Sequence, residues 1–200
     1  KLVNVDLNEG LENIARAFVG CTSLESISVP STVKLIEWMA FYGCTSLVNV
    51  QLNDGLEEIQ RYAFRNCAAL ESIIIPSTVK VIEKEVFARR EKLANVQLNE
   101  GLKCIGDWAF YGCNSLEHII VPPTVKVIAE FAFYDCSKLV DVQLNEGLEE
   151  IKSYAFGCCT ALTSVSIPTT VKKIEPGAFV GCTKLWNFQL NKGLEIIGWG

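Results

Sequence analysis

The stretch LESISVPSTVKLIEWMAFYGCTS (residues 24–46) is followed at once by LVNVQLNDGLEEIQRYAFRNCAA (residues 47–69), and the two superpose column by column. The same register then runs along the whole chain. Leu24, Leu47, Leu70, Leu93, Leu116, Leu139, Leu162 and Leu185 recur at an unbroken spacing of 23, as do Phe41, Phe64, Phe87, Phe110, Phe133, Phe156 and Phe179. Leu2 and Phe18 join after a one-residue deletion. Isoleucine fills a further column from Ile14 to Ile197, and alanine precedes nearly every phenylalanine, Val86 being the substitute. Self-similarity at such a period marks a solenoid, because one short turn cannot enclose its own apolar side chains while stacked turns can.

Within a turn, Leu24-Glu25-Ser26-Ile27-Ser28-Val29 alternates apolar and polar residues and is rich in β-branched side chains, which predicts a short strand. The following residue breaks it. Pro30, Pro76, Pro122 and Pro168 alternate from turn to turn with Asn8, Asn53, Asn99, Asn145 and Asn191, so turn chemistry is supplied in two ways and the true unit is a pair of turns, 46 residues long. After the corner, V-x-x-I or L-x-x-I predicts a second extended piece. The A-F-x-x-C stretch has room only for a helical turn or 3-10 segment. The fold class expected is therefore a β-rich repeat solenoid with parallel strands and low helix content. Residues 1–200 form a single domain of about eight to nine turns, with strands about 4.8 Å apart and an axis of roughly 40 Å.

The motif L-x-x-I-x-I-P-x-x-V-x-x-I-x-x-x-A-F-x-x-C resembles the BspA-like leucine-rich repeats, a subclass also associated with treponemal proteins, over essentially the whole chain. The A-F-x-x-C column and the 23-residue spacing set it apart from leucine-rich repeats that use a buried asparagine ladder. The resemblance implies a parallel-sheet solenoid used for protein recognition, often in surface or adhesive proteins of bacteria and some protists. Localisation does not transfer across so diverse a family. One departure is Arg90, which occupies the cysteine column, so its turn is expected to deviate locally or to present a charge.

Composition narrows the partners. Half of the 200 residues are hydrophobic and a fifth charged, as in an ordered globular protein. The net charge of -5 lacks the positive field that attracts nucleic acid or anionic lipid, and no apolar run is long enough for membrane insertion. Lys1 to Gly10 carries no basic-then-apolar leader, and the only methionine is Met39, so the sequence reads as a processed form or a segment of a longer protein. Open solenoid ends expose apolar edges, which further turns or another subunit are expected to cover.

Seven of the nine cysteines, Cys21, Cys44, Cys67, Cys113, Cys136, Cys159 and Cys182, share one column and read as buried free thiols. In-register side chains point the same way, which suits disulfide geometry poorly. Cys104 and Cys158 lie off the column, Cys158 being the better candidate for a reactive thiol. No metal, cofactor or catalytic residue is expected: zinc spacing is absent, and the single histidine, His118, has no acid or nucleophile in register.

Candidate protein-binding residues fall in two groups. Along the outward strand column, Asp6, Ser28, Gln51, Gln97, Gln143, Ser166 and Gln189 are polar, so Ile74 and Ile120, with His118 beside the latter, are apolar exceptions on a polar face. The competing reading is that β-branched residues are simply comfortable on exposed strands. Tyr62, Trp108, Phe131 and Tyr154, two residues before the phenylalanine column, form the second group; they suit an assembly interface or a cover for the solenoid core. Charges after the corner alternate in sign between most adjacent turns, as in Lys34 and Glu57, and Lys80, Lys103 and Lys126 form the only short basic stripe. The function expected is a non-enzymatic interaction scaffold. The alternatives are a component permanently docked in a larger assembly and a secreted or cell-surface adhesin.

Overall fold

A computed structural model describes residues 2–199, which wind into successive turns joined by three inter-turn ladders. The first ladder is made by the alternating stretches, as strands such as Ser26–Ser28, Asn49–Gln51, Ser72–Ile75, Asn95–Leu98, His118–Val121 and Asp141–Leu144. The second is a nine-stranded parallel sheet of two-residue strands, running from Asn13–Ile14 to Ile196–Ile197. The third is the phenylalanine column. It is built of turns rather than helix, Arg16–Phe18 being the one 3-10 segment among the described residues.

Stacking in register makes the core. Phe18, Phe41, Phe64, Phe87, Phe110, Phe133, Phe156 and Phe179 form one continuous stack with ring centroids 5.1 to 5.7 Å apart and nearly parallel planes. The six from Phe41 to Phe156 are fully buried, and each contributes about 2–3 kcal/mol of transfer free energy. The cysteines run beside the rings. Every ladder thiol but Cys21 donates to the carbonyl of the phenylalanine one turn back, as from Cys67 to Phe41 at 3.1 Å and from Cys136 to Phe110 at 3.2 Å. From the turn of Cys44 onward a side chain in each turn thus satisfies a main-chain acceptor of the turn before, and all nine cysteines are free.

The pairing of turns is physical. From a proline turn to the asparagine turn that follows it, the first ladder pairs three or four residues, as in Ser72–Ile75 with Asn95–Leu98. From an asparagine turn to the next proline turn, pairing shrinks to two residues, one or none. There the fastening moves to the corner. Thr32, Thr78 and Thr170 of the proline turns donate to the carbonyls of Leu11, Leu56 and Leu148, and Thr124 accepts from the Gly101 N–H. The approach is close enough that a Cβ on Gly101, whose φ is +120°, would sit 2.0 Å from the Ser77 carbonyl oxygen. Lys34 with Glu57, Lys126 with Glu149 and Lys172 with Glu195 run with the long strands, from a proline turn to the asparagine turn after it, whereas Arg65 with Glu85, Lys152 with Glu175 and Lys173 with Glu150 cross the other junction.

One junction is looser than the rest. Between the turns beginning at Leu47 and Leu70 the first ladder is unpaired and the second keeps only Ile59 against Ile82. No main-chain hydrogen bond joins Lys80 N–H to Glu57, Phe64 N–H to Val86 or Asn66 N–H to Ala88, although equivalent bonds recur elsewhere, as from Phe87 to Ala109 at 2.8 Å. Phe64 and Phe87 are the widest-spaced rings of the stack. Arg90 lies at this seam. It is fully buried with the long guanidinium where a thiol belongs, its Nη2 donating to the Phe64 carbonyl and its Nε and Nη1 without partners. The turn therefore deviates, as the sequence led us to expect, by widening around a buried charge rather than by presenting it.

Candidate functional site: the strand face and the aromatic flank

The first ladder alternates inward and outward side chains, so Ile73, Ile75, Ile119 and Val121 are buried while Ile74 and Ile120 are each 57% exposed. Ile74 pairs in register with Gln97 and Ile120 with Gln143, and His118, also exposed, lies opposite Asp141. Ile74 and Ile120 are two turns apart, roughly 10 Å at ordinary strand spacing. Around them the face is amide and hydroxyl: Ser28 donates to Gln51 at 3.4 Å, and Gln97 and Gln143 donate to Asn99 and Asn145 at 3.0 and 3.3 Å.

The unpaired junctions of the ladder leave two recesses of about 400 Å³ on this face. Ile74 borders both, and His118 closes the rim of one. Structure thus brings Ile74 and His118 to a common recess, with Ile120 one side chain beyond His118 on the same strand.

The second group lies on the third ladder. Trp108 stacks on Phe131 at 4.1 Å and Phe131 on Tyr154 at 4.9 Å, with Tyr111 and Tyr134 set edge-on at 5.1 and 5.4 Å. Glu85 takes the equivalent place between Tyr62 and Trp108, so Tyr62 stands outside the stack and carries Arg65 over its ring at 5.4 Å. All four of Tyr62, Trp108, Phe131 and Tyr154 are half-buried. The seven candidates therefore divide between two ladders and do not form one site.

The backbone under the aromatics is left-handed, a feature the sequence reading did not include. Tyr62, Trp108, Phe131 and Tyr154 have φ between 59° and 62° or just below, at 56° for Phe131, where a bulky residue pays in strain. The compensation is an inter-turn bond: Trp108 N–H donates to Glu130 at 2.9 Å and Phe131 N–H to Ser153 at 3.1 Å. Four residues later a second left-handed column holds Gly20, Gly43, Asn66, Arg89, Gly112, Asp135, Cys158 and Gly181. Its glycine, asparagine and aspartate content was the available signal.

A second basic surface was also missed. Besides the Lys80, Lys103 and Lys126 stripe, of which Lys126 is paired with Glu149, the third ladder carries Arg65, Lys84 and Arg89 around a recess of about 430 Å³ with Trp108 and Tyr111. These residues come from three successive turns, with Arg89 and Trp108 at left-handed positions. Cys158, off the thiol ladder, donates to the Tyr134 hydroxyl at 3.3 Å; that contact, followed by burial, pushes the Tyr134 hydroxyl up to about 12. Burial pushes the Cys136 and Cys159 thiols far above their ordinary range. No group of three or more histidine, cysteine or acidic side chains converges among the described residues, and no helix there is long and apolar enough to cross a membrane.

Comparison with known proteins gives the geometry its kinship. The chain superposes on a leucine-rich repeat protein of T. pallidum with a TM-score of 0.70 and 34% identity, over 92% of this chain and 77% of that one. A leucine-rich repeat protein of Eubacterium ventriosum is similar at TM-score 0.74 and 25% identity, over 86% of this chain and 45% of the other. One from Bacteroides ovatus gives 0.52 and 27%, over 96% and 68%. No curated protein matches the chain. The model of the BspA type leucine rich repeat region matches residues 12–128 and 105–200. With that match added to the thiol-lined phenylalanine stack and the parallel ladders, the chain belongs to the BspA-type leucine-rich repeat family.

Proposed function

We propose that this solenoid is a non-enzymatic scaffold that binds a protein partner on its strand face. The family consists of repeat proteins that generally act as binding modules. The observation that carries the placement is the pair Ile74 and Ile120, more than half exposed on a face otherwise made of amides and hydroxyls, with recesses on both sides of Ile74. An apolar anchor inside a polar rim is the usual composition of an interaction hot spot. His118 lies beside Ile120 on the same strand, at the rim of the recess that Ile74 borders, and supplies a hydrogen-bonding group to the same partner. Specificity comes from these nonrepeating outward residues, since the inward ones are fixed by stacking.

The apolar end of the solenoid supports a second contact. Beyond Phe179 no ring continues the stack among the described residues, Trp186 is 79% exposed, and a recess of about 280 Å³ lies against Gly177, Ala178 and Phe179. A stacked turn or another subunit covers this end in our reading. The test of the strand face is affinity capture from the native source with the wild-type chain and an Ile74→Gln, Ile120→Gln variant of unchanged melting temperature. A partner lost in the variant supports the assignment; a partner retained by both removes recognition from this face.

A further inference from the structure

Four of the chain's five arginines, Arg61, Arg65, Arg89 and Arg90, fall within thirty residues of a protein whose net charge is -5. Three turns contribute to the recess they surround: Arg65 from one, Lys84, Glu85 and Arg89 from the next, Trp108 and Tyr111 from the third. Its lining carries three cations and one carboxylate, and that carboxylate is already engaged, Glu85 pairing with Arg65 at 2.5 Å. Neither Lys84 nor Arg89 has an ion-pair partner among the described residues. Of the nearby acids outside the lining, Glu83 is bound to the Arg61 N–H and Asp107 to the Glu130 N–H. Behind the recess Arg90 adds a buried positive charge that repels Arg65.

The walls are aromatic. Arg89 lies over the Tyr111 ring at 5.5 Å, and Trp108 meets Tyr111 edge-on at 5.1 Å. Guanidinium groups bind carboxylates in a bidentate fork, and aromatic faces pack the aliphatic stems of an extended chain. We propose that this recess is a docking site for an acidic segment of a partner protein, its successive Asp or Glu carboxylates taken by Arg89 and Lys84 beside the Arg65–Glu85 pair. The cations come from adjacent turns and the aromatics continue the groove onto a third, an arrangement that fits a stretch of peptide better than a single small anion. A long polyanion such as nucleic acid would meet the surrounding negative charge of the molecule. The site is on a different ladder from the strand face and stands or falls separately from it.

The experiment uses the full chain and a fluorescent hexapeptide of alternating Asp and Glu, with the Asn-Gln hexapeptide as its uncharged counterpart, followed by anisotropy. Saturable binding of the acidic peptide alone is expected, weakening as salt rises and falling at least about tenfold in Arg89→Glu, Lys84→Glu. Both residues are exposed, and an unchanged thermal melt shows that this variant is folded. Lys80→Glu, Lys103→Glu, which reverses the separate lysine stripe, is expected to bind as wild type. The proposal is overturned by absence of binding, by equal loss in both variants, or by complete displacement with inorganic phosphate at concentrations that leave ionic strength unchanged, which would mark a small-anion site.

Discussion

Replacing Arg90 with cysteine should stabilise this protein, although it removes a large buried side chain. In the native turn two guanidinium nitrogens, Nε and Nη1, are buried without partners, at about 1–3 kcal/mol each. Against this, shortening the side chain forfeits about 1–2 kcal/mol of methylene burial. A thiol at this position would donate to Phe64 as Cys67 does to Phe41 and Cys113 to Phe87. The turns could then close to the ring spacing of 5.1 to 5.3 Å found on either side. The net gain is about 0–5 kcal/mol, worth about 2–4 °C in melting temperature per kcal/mol for a chain of this length. Calorimetry gives the shift, and native-state hydrogen exchange at Phe64, Asn66 and Lys80 reports whether the missing inter-turn bonds have formed. An Arg90→Cys protein that melts at or below the wild-type temperature, with those amides still unprotected, would refute the account of the seam as a strained junction.

Two further outcomes follow from the ionisable groups. Burial pushes the Glu175 carboxyl up, but hydrogen bonds from Lys173 at 2.7 Å, Ser153 and Lys152 outweigh it and hold the group at about 2. A depressed carboxylate stabilises the fold above its ordinary value and loses that contribution as pH falls toward 2, so the stability gap between wild type and Glu175→Gln, about 1–2 kcal/mol near neutrality, should vanish across that acidic range in pH-resolved urea titrations; a gap independent of pH would contradict it. For the thiols, Cys21, Cys104, Cys158 and Cys182 are half-buried and Cys44, Cys67, Cys113, Cys136 and Cys159 buried, so a thiol reagent under native conditions should modify the first four ahead of the five, which wait for unfolding. Peptide mapping that finds Cys136 or Cys159 labelled as fast as Cys158 would place the thiol ladder outside the core.

The core was legible in the sequence because each of its positions is repeated: one phenylalanine column and one thiol column, each stacked on itself, leave no freedom in the fold. The alternation of Pro30-type and Asn53-type corners likewise carried the 46-residue pairing. The exposure of Ile74 and Ile120 followed from strand alternation alone. What was not legible depends on main-chain geometry imposed from a neighbouring turn. Trp108 and Phe131 adopt left-handed backbone against their own preference because their N–H groups are held by the next turn. Arg65, Lys84 and Arg89 occupy three different repeat columns, so only the stacking of adjacent turns shows that they line one recess. The depth of Arg90 was equally hidden, since an arginine in an apolar column can be read as a charge turned outward.

The alternating fasteners have a bearing on how such a chain lengthens over generations. Threonine corners hold a proline turn to the asparagine turn before it, and long strands hold it to the asparagine turn after it. Duplicating a single 23-residue turn would set two like corners side by side and strand one of them without its clamp, whereas copying a pair inserts seamlessly. Gene duplication in this lineage should therefore proceed in steps of two turns, and a recently copied block should carry its Pro-x-Thr corner and its Asn-x-Gly corner as an inseparable inheritance.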